Sequence, residues 1–308
     1  KEMSVEDDTP FKFSPGDSQG SDSGCSKNAS RIIIISIVVL LIVGLVILLI
    51  FLIKKSPEDE SNSSFPDDPS TNIITTKFNY AHFSVDQPNT IYDDRTINYT
   101  EYISSMSING KRINIANQYT PDKKEMKTIQ IKFKKPLERM ERLFFHSYYL
   151  ESVDLSQFDT SLLTDMSQVF LACVNLKEVK FGPKFDTSKV KEMDALFSGC
   201  EYLTSVDLSM FSTKNVQRMD FMFCNCAQLT NLDLSSFDTS NTINIGSMFF
   251  NCESLTSINL STFNTQKVRT MTDTFHGCSS LQTLNLDSFR TDSVISMDQM
   301  FAGCSSLA

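Results

Sequence analysis

One stretch of 26 residues, VQRMDFMFCNCAQLTNLDLSSFDTSN (216–241), decides the fold because the chain repeats its pattern. Three columns of identical residues recur at steps of 26 or 27 residues. The cysteine column is Cys173, Cys200, Cys226, Cys252, Cys278 and Cys304. The phenylalanine column is Phe158, Phe185, Phe211, Phe237, Phe263 and Phe289, and the threonine column is Thr160, Thr187, Thr213, Thr239, Thr265 and Thr291. A fixed period of about 20–50 residues is typical of stacked repeats that share one continuous core.

Two hydrophobic periods alternate inside one unit. In VQRMDFMFCNC (216–226) the apolar residues are spaced as on one face of a short helix. In LTNLDL (229–234) the leucines follow the L-x-x-L-x-L pattern of a leucine-rich-repeat strand. The polar turn SSFDTSN (235–241) suits the cap of the next helix. We therefore predict an α/β repeat solenoid over residues 137–308, with short parallel strands on one face, short helices on the other, and six units plus part of a seventh.

The units LTSVDLSMFSTKNVQRMDFMFCNC (203–226) and LTNLDLSSFDTSNTINIGSMFFNC (229–252) resemble the repeat of BspA-like leucine-rich-repeat surface proteins. That resemblance implies the repeat fold and a role in adhesion or recognition at a cell surface. It carries over no catalytic or ligand residue, because the family shares none. Ile245 and Thr274 depart from the pattern by replacing methionines, and FGPKF (181–185) contains one inserted residue. The last unit has no polar cap, so the array is expected to continue beyond residue 308.

A second apolar feature precedes the repeats. The stretch IIIISIVVLLIVGLVILLIFLI (32–53) contains 22 residues, which as a helix would span roughly 33 Å and could cross a bilayer. A cleaved signal peptide is the weaker alternative, because no small-residue cleavage site follows. The flanking basic residues favour an inside N terminus by a margin of one. We expect a single-pass plasma-membrane protein with an extracellular C-terminal solenoid.

The remaining segments are assigned by composition. Residues 1–31 are expected to be a disordered tail, in which GDSQG (16–20) is a chance match to a nucleophile elbow. Residues 54–77 form a polar stalk. Residues 78–136 form a β-rich leading segment that covers the first apolar edge of the array. Within it Asn109-Gly110 predicts a tight hairpin.

The cysteines are expected to fill the core rather than to bind metal or form disulfides. Zinc would need a second pair or histidines at ligand spacing, and the three histidines are scattered. Equivalent inward positions point the thiols in parallel, which does not suit pairing. Cys224 lies outside the regular column and is predicted to be the most exposed and reactive. The threonine hydroxyls are expected to bond nearby backbone.

The best candidate for partner binding is the solvent-facing strand position between the last two leucines of each unit. Stacking would space these residues by about 4.8 Å along a concave sheet. A polar row of this kind could bind a partner or a cation, but exposed strand positions are polar in any case and Asp and Asn also cap turns. A glycan at Asn259 would obstruct the row. The row is Asp154, Lys180, Asp207, Asp233, Asn259 and Asn285, and the triplets that predict N-glycosylation begin at Asn62, Asn98 and Asn259.

Charge and motif content exclude other functions. A net charge of -9 and a pI near 4.9 argue against nucleic-acid binding. No catalytic motif, metal site or cofactor site is predicted, so the chain is not expected to be an enzyme. We expect a membrane-anchored surface protein that binds an unknown protein or glycan by its solenoid surface. A structural or antigenic coat component and a membrane-tethered intracellular scaffold are the alternatives.

Overall fold

The computed structural model describes residues 72–81 and 88–308. The predicted tail (1–31), the predicted transmembrane helix (32–53) and most of the predicted stalk (54–77) lie outside the described residues. The first strand begins inside the predicted stalk, at Asn72.

The described residues contain ten strands and one 3-10 turn. The strands are β1 Asn72–Asn79, β2 Asn89–Thr90, β3 Ile103–Ile108, β4 Lys111–Ile113, β5 Gln118–Tyr119, β6 Met126–Phe133, β7 Leu150–Gln157, β8 Glu178–Lys180, β9 Ser257–Ile258 and β10 Thr283–Leu284. The 3-10 turn is Tyr99–Glu101.

One sheet joins the leading segment to the repeats. Its strand order is β4-β3-β6-β1-β7-β8. All neighbours are antiparallel except β7 and β8, which are parallel because they occupy equivalent positions in successive repeats. The predicted hairpin is confirmed between β3 and β4, where Ile108 pairs with Lys111. Asn109 (φ 50) and Gly110 (φ 80) supply the two left-handed residues that a type I′ turn requires.

The repeats stack in parallel with a constant register. One ladder of β-bridges runs through the third residue of each repeat: Arg139, Asp165, Glu192, Arg218, Asn244, Thr270 and Ser296. A second ladder runs through the predicted strand positions, where β7 pairs with β8, Ser205 with Asn231, and β9 with β10. Among the described residues the first ladder joins every neighbouring pair of repeats, whereas the second is interrupted between β8 and the next repeat and between Asn231 and β9.

The prediction of an α/β solenoid with short helices is wrong, because no α-helix occurs among the residues that the structure describes. Two left-handed residues interrupt the apolar segment of every repeat, for example Phe221 (φ 60) and Asn225 (φ 56), and a right-handed helix cannot contain them. Alternate amides bond across repeats instead, as when Phe197 N donates to Met222 O at 2.9 Å. The amides between them close four-residue turns within the repeat, as when Ser198 N donates to Ala195 O at 3.2 Å. Apolar spacing of three residues suits such a chain of turns as well as it suits a helix.

The core consists of columns that run along the stack. Phenylalanine rings stack in parallel from repeat to repeat, with centroids 5.4–5.9 Å apart: Phe144, Phe170, Phe197, Phe223, Phe249, Phe275 and Phe301. The threonine hydroxyls bond the backbone of the next repeat; Thr213 Oγ1 donates to Asp238 O at 3.0 Å and accepts from Asp238 N at 2.8 Å. These contacts hold neighbouring turns in one register.

Five of the six repeat cysteines are buried in the core, as predicted, and Cys304 is half-buried. Each thiol donates to a phenylalanine carbonyl of the preceding repeat, as Cys226 Sγ does to Phe197 O at 3.2 Å. Burial raises the thiol pKa, to about 12 at Cys278. The prediction for Cys224 is wrong: its side chain is only 7% exposed, whereas the neighbouring Phe221 is 46% exposed. The left-handed backbone at Phe221 and Asn225 breaks the helical spacing from which Cys224 was predicted to be exposed.

The structure also corrects the prediction of a single-pass membrane protein. Across residues 72–81 and 88–308, no helix is long and apolar enough to cross a bilayer. The segment 32–53, on which the prediction rested, lies outside these residues. Membrane attachment, the membrane as a partner and the plasma-membrane location therefore have no support among the described residues.

Candidate functional site

The predicted strand row continues into the leading segment. In the sheet register Lys180 pairs with Asp154, and Asp154 pairs with Thr75. From Thr75 the same register passes through Gln130 and Ser107 to Arg112. We call the outward side of these strands, opposite the buried Ile74 and Ile131, the strand face. Its central row is Arg112, Ser107, Gln130, Thr75, Asp154 and Lys180, followed in later repeats by Asp207, Asp233, Asn259 and Asn285.

The first four residues of this row were missed by sequence reasoning. The alternation in TIQIKFK (128–134) showed which residues of β6 face outward. It did not show that β1 would lie between β6 and β7, since that pairing joins residues about 80 positions apart, such as Thr75 and Asp154. Ser107 is itself fully buried, so the exposed part of the row extends beyond the repeats only as far as Thr75 and Gln130.

The acidic and amide side chains of the row close their own turns. Each Oδ1 accepts a hydrogen bond from the backbone amide two residues later, at 2.8–3.0 Å. The residues concerned are Asp154, Asp207, Asp233, Asn259 and Asn285. One oxygen of each side chain is thus used by the fold, while the side chains from Asp207 onward remain exposed.

The row contains three carboxylates, Asp154, Asp207 and Asp233, and the pKa of each is lowered, so they keep their charge into the acid range. Hydrogen bonds from Ser209 lower the pKa of Asp207, and hydrogen bonds from Ser235 lower the pKa of Asp233. Lys180 differs from the rest of the row, because its Nζ lies 3.5 Å from Asp154 Oδ2 and forms an exposed ion pair.

A groove opens on the strand face between Lys180 and Asp207, with a volume of about 310 Å³. Among the described residues, no β-bridge joins β8 to the next repeat, so the strands are not paired across this step. Apolar and charged side chains both line the groove. They are Val179, Phe181, Val206 and Met210, with Lys177, Glu178, Lys180 and Asp207.

The inserted residue in FGPKF explains why the groove lies here. It lengthens the step from Cys173 to Cys200 to 27 residues. Gly182 lies against the preceding repeat, where an added Cβ would come within 2.4 Å of the Ser156 backbone. Phe181 packs against Phe211, with ring centroids 5.0 Å apart. Met210, at the groove, is 43% exposed.

The groove suits a partner side chain better than an enclosed small molecule. Its volume lies at the lower limit of ligand pockets, which enclose about 300–1,000 Å³. Its charged members are partly engaged, since Lys177 Nζ contacts Glu151 Oε1 at 2.9 Å. A larger depression of about 490 Å³ near Arg290 and Asp292 is lined by turn residues, and no predicted site residue belongs to it.

The other predicted positions lie apart from the groove. Asn98 Nδ2 donates to Glu101 Oε1 at 2.6 Å beside the 3-10 turn. Asn259 is exposed in the central row, and Asn62 lies outside the described residues. Within residues 72–81 and 88–308, no group of acidic, histidine or cysteine side chains is arranged to hold a metal ion.

An acidic cluster on the first bridge ladder was also missed. Asp165 is a bridge partner of Glu192, and Asp194 and Asp220 follow two residues after the ladder positions of their repeats. Glu192 Oε2 is buried without a hydrogen-bond partner. Burial, reinforced by neighbouring carboxylates, raises the pKa values of Glu192 and Asp194. Arg218 pairs with Asp220 at 2.8 Å and offsets only part of this charge.

Comparison with known proteins identifies a family for the repeats. The family described as Mycoplasma protein of unknown function, DUF285, matches residues 138–258 and residues 227–308. Together the two matches span residues 138–308, more than half of the 308 residues. No curated protein and no solved structure is similar enough to this chain to match. The family description assigns no activity, so function must be argued from the strand face.

Proposed function

We propose that this chain, which belongs to the DUF285 family of Mycoplasma proteins of unknown function, is a binding protein that recognises a macromolecular partner by its strand face. The groove between Lys180 and Asp207 is the observation that carries this proposal. It combines exposed apolar surface at Met210 with charged side chains at its margin. Protein interfaces concentrate their binding energy in such apolar positions surrounded by polar ones.

The length of the strand face favours a macromolecule over a small ligand. From Gln130 to Asn285 the central row crosses eight strand positions, which at about 4.8 Å between neighbours extend over roughly 34 Å. Repeat proteins commonly bind partners along an extended surface of this kind. The resemblance to BspA-like surface proteins stays a prediction, and it agrees with a role in adhesion or recognition.

A coat component without a specific ligand is the second candidate, and one observation favours it. The Asp and Asn side chains of the row all serve their own turns. The fold alone therefore explains why these positions are Asp or Asn. Only the groove is left without a structural explanation.

The test replaces Met210 with aspartate in the full chain. Saturable binding of the unaltered chain to a panel of matrix proteins and host cells is measured first. Met210→Asp should weaken that binding at least tenfold, because loss of one buried apolar contact and a new buried charge exceed about 1.4 kcal/mol. The matched control is Ile243→Asp, since Ile243 is similarly exposed at 41% but lies outside the strand face.

Two outcomes would contradict the proposal. Absence of saturable binding to any member of the panel would favour the coat component. Equal losses from Met210→Asp and Ile243→Asp would place the binding surface elsewhere on the repeats.

A further inference from the structure

We propose that the edge of β8 that faces the groove binds an extended peptide segment of a partner protein, which adds one strand to the sheet between Lys180 and Asp207. The inference rests on the proposed function, because it names the class of partner for the same groove. It commits to a segment in which an apolar residue lies between two basic residues. Unpaired strand edges, open apolar surface and unpaired carboxylates at the groove carry it.

The groove separates two strand edges that the repeat pattern places side by side. β8 is the last strand of the six-stranded sheet. Its counterpart in the next repeat is the segment 205–207, in which Ser205 forms the bridge to Asn231. Among the described residues, no β-bridge and no backbone hydrogen bond joins β8 to that segment. An edge of this kind presents main-chain N–H and C=O groups that can pair with another chain.

The opening between the two repeats is short. Before it, Tyr202 N donates a hydrogen bond to Val174 O at 3.2 Å. After it, Ser212 N donates to Thr187 Oγ1 at 2.8 Å. The same two repeats are therefore joined on both sides of the groove, and the edge of β8 is held in place before any partner binds. The groove suits an extended segment of a few residues, and a rigid edge reduces the ordering that binding requires.

Apolar surface is open at this interruption of the second ladder. The ladder is also interrupted before β9, but the inward side chains there, Leu232 and Ile258, are both buried. Val206, the equivalent residue at the groove, is half-buried, and Met210 is exposed. Successive side chains of a strand point to opposite faces. The residue of an incoming strand that lies level with Val179 and Val206 therefore points inward and is expected to be apolar.

The charges at the groove favour basic residues at the outward positions of the segment. The two lysines of the groove, Lys177 and Lys180, already pair with carboxylates of β7. The two carboxylates of the groove, Glu178 and Asp207, are exposed and form no ion pair among the described residues. They lie on the two sides of the groove, beside the outward positions of an incoming strand. Unpaired negative charge at a binding surface favours a positively charged partner.

The probe is the peptide Thr-Lys-Val-Lys-Thr, acetylated and amidated at its ends. Its valine is the inward residue and its lysines are the outward residues in either strand direction. Surface plasmon resonance on the immobilised full chain should show saturable binding of this peptide. The same peptide with every backbone amide methylated should bind at least tenfold more weakly, because it cannot donate main-chain hydrogen bonds to a strand edge.

A second peptide, Thr-Glu-Val-Glu-Thr, tests the role of the carboxylates. At low salt it should bind about tenfold more weakly than the lysine peptide, because repulsion replaces attraction at two exposed positions. Glu178→Lys should reduce this preference about threefold or more, with no change in thermal unfolding, since Glu178 has no ion-pair partner to lose. The matched control is Glu253→Lys, which makes the same charge change at an exposed position outside the groove and should leave the preference unchanged.

Three results would overturn the inference. Absence of saturable binding of the lysine peptide excludes the segment to which the proposal commits. Equal binding of the methylated and unmethylated peptides excludes the addition of a strand. Equal effects of Glu178→Lys and Glu253→Lys would show that the peptide responds only to net charge and does not lie in the groove.

The outcomes also separate this inference from the proposed function. If the peptide experiments fail but Met210→Asp, unlike Ile243→Asp, still weakens binding to a member of the panel, the recognition role stands. The partner is then not an extended basic peptide, and a glycan becomes the class to examine. Absence of binding to the peptide and to every member of the panel contradicts both proposals.

Discussion

At the scale of single residues, the chain tolerates unfavourable charge inside the first bridge ladder. Glu192 Oε2 has no hydrogen-bond partner, and Asp194 is only 9% exposed. A buried charge without a partner lowers stability. Burial also raises the pKa values of Glu192 and Asp194, because it favours the protonated, uncharged form of each carboxyl. The repeats therefore have a stability that depends on pH.

Replacing Glu192 with glutamine should stabilise the protein at neutral pH. The folded state holds the Glu192 proton more tightly than the unfolded state does, so this residue supports folding at low pH and loses that effect as pH rises. Glu192→Gln should therefore raise the free energy of unfolding by about 1 kcal/mol at pH 7. The gain should vanish near pH 4 in urea titrations. Glu201→Gln, at an exposed position, is the control, and an equal gain there would contradict the explanation.

At the scale of the repeat, hydrogen bonds between neighbours replace the helix that local spacing predicts. The backbone of each apolar segment alternates between turns within the repeat and bonds to the next one. At the inserted residue, Gly182, which follows β8, lies against Ser156 of the preceding repeat. Gly182 thus determines how closely these two repeats approach and how the groove is shaped.

Replacing Gly182 with alanine should destabilise the stack and alter the groove. The added Cβ would lie 2.4 Å from backbone atoms that cannot move aside as a side chain can. We expect a loss of about 1–3 kcal/mol, as for other overpacked positions, measured by the midpoint of denaturant unfolding. Gly110→Asn serves as the control, because a Cβ at Gly110 meets nothing within 4 Å and asparagine tolerates its left-handed backbone. Unchanged stability in Gly182→Ala would contradict the close approach.

At the scale of the whole described chain, the leading segment and the repeats form one continuous structure. The pairing of β1 with β7 joins their sheets. Beyond the sheet, the buried carboxylate of Asp93 contacts Arg95 and Arg142, at 2.7 Å and 3.1 Å. Asp93 N also donates to Leu143 O in the first repeat. The first apolar edge of the stack is thereby covered by the leading segment.

Replacing Asp93 with alanine should loosen this junction. The variant loses contacts to two arginines, and we expect a cost of about 2 kcal/mol. Burial alone would raise the pKa of Asp93, but hydrogen bonds from both arginines outweigh it and hold the pKa below its ordinary value. Its contribution is thus present at neutral pH and is lost as pH falls through the folded pKa.

Calorimetry of Asp93→Ala at pH 7 is the measurement, and the leading segment is expected to unfold before the repeats. Asp292→Ala, at an exposed turn of the repeats, is the control. One unshifted transition in Asp93→Ala would show that the junction does not depend on Asp93.

The sequence by itself determined the period, the register and the buried columns of phenylalanine, cysteine and threonine. Those features follow from identical residues recurring at one step, since equivalent positions in a stack have equivalent surroundings. Asn109-Gly110 also specified its hairpin locally. For the same reason, the polar row could be predicted from Asp154 in the first repeat onward.

Only the tertiary structure decided the path of the backbone and the extent of the strand face. Spacing by three residues fits both a helix and a chain of turns, and bonds between repeats selected the turns and buried Cys224. The pairing of β1 with β7 and the groove beside Lys180 depend on separate segments of the chain meeting. Local sequence patterns do not encode such contacts, because their free energy arises only when the whole sheet has formed.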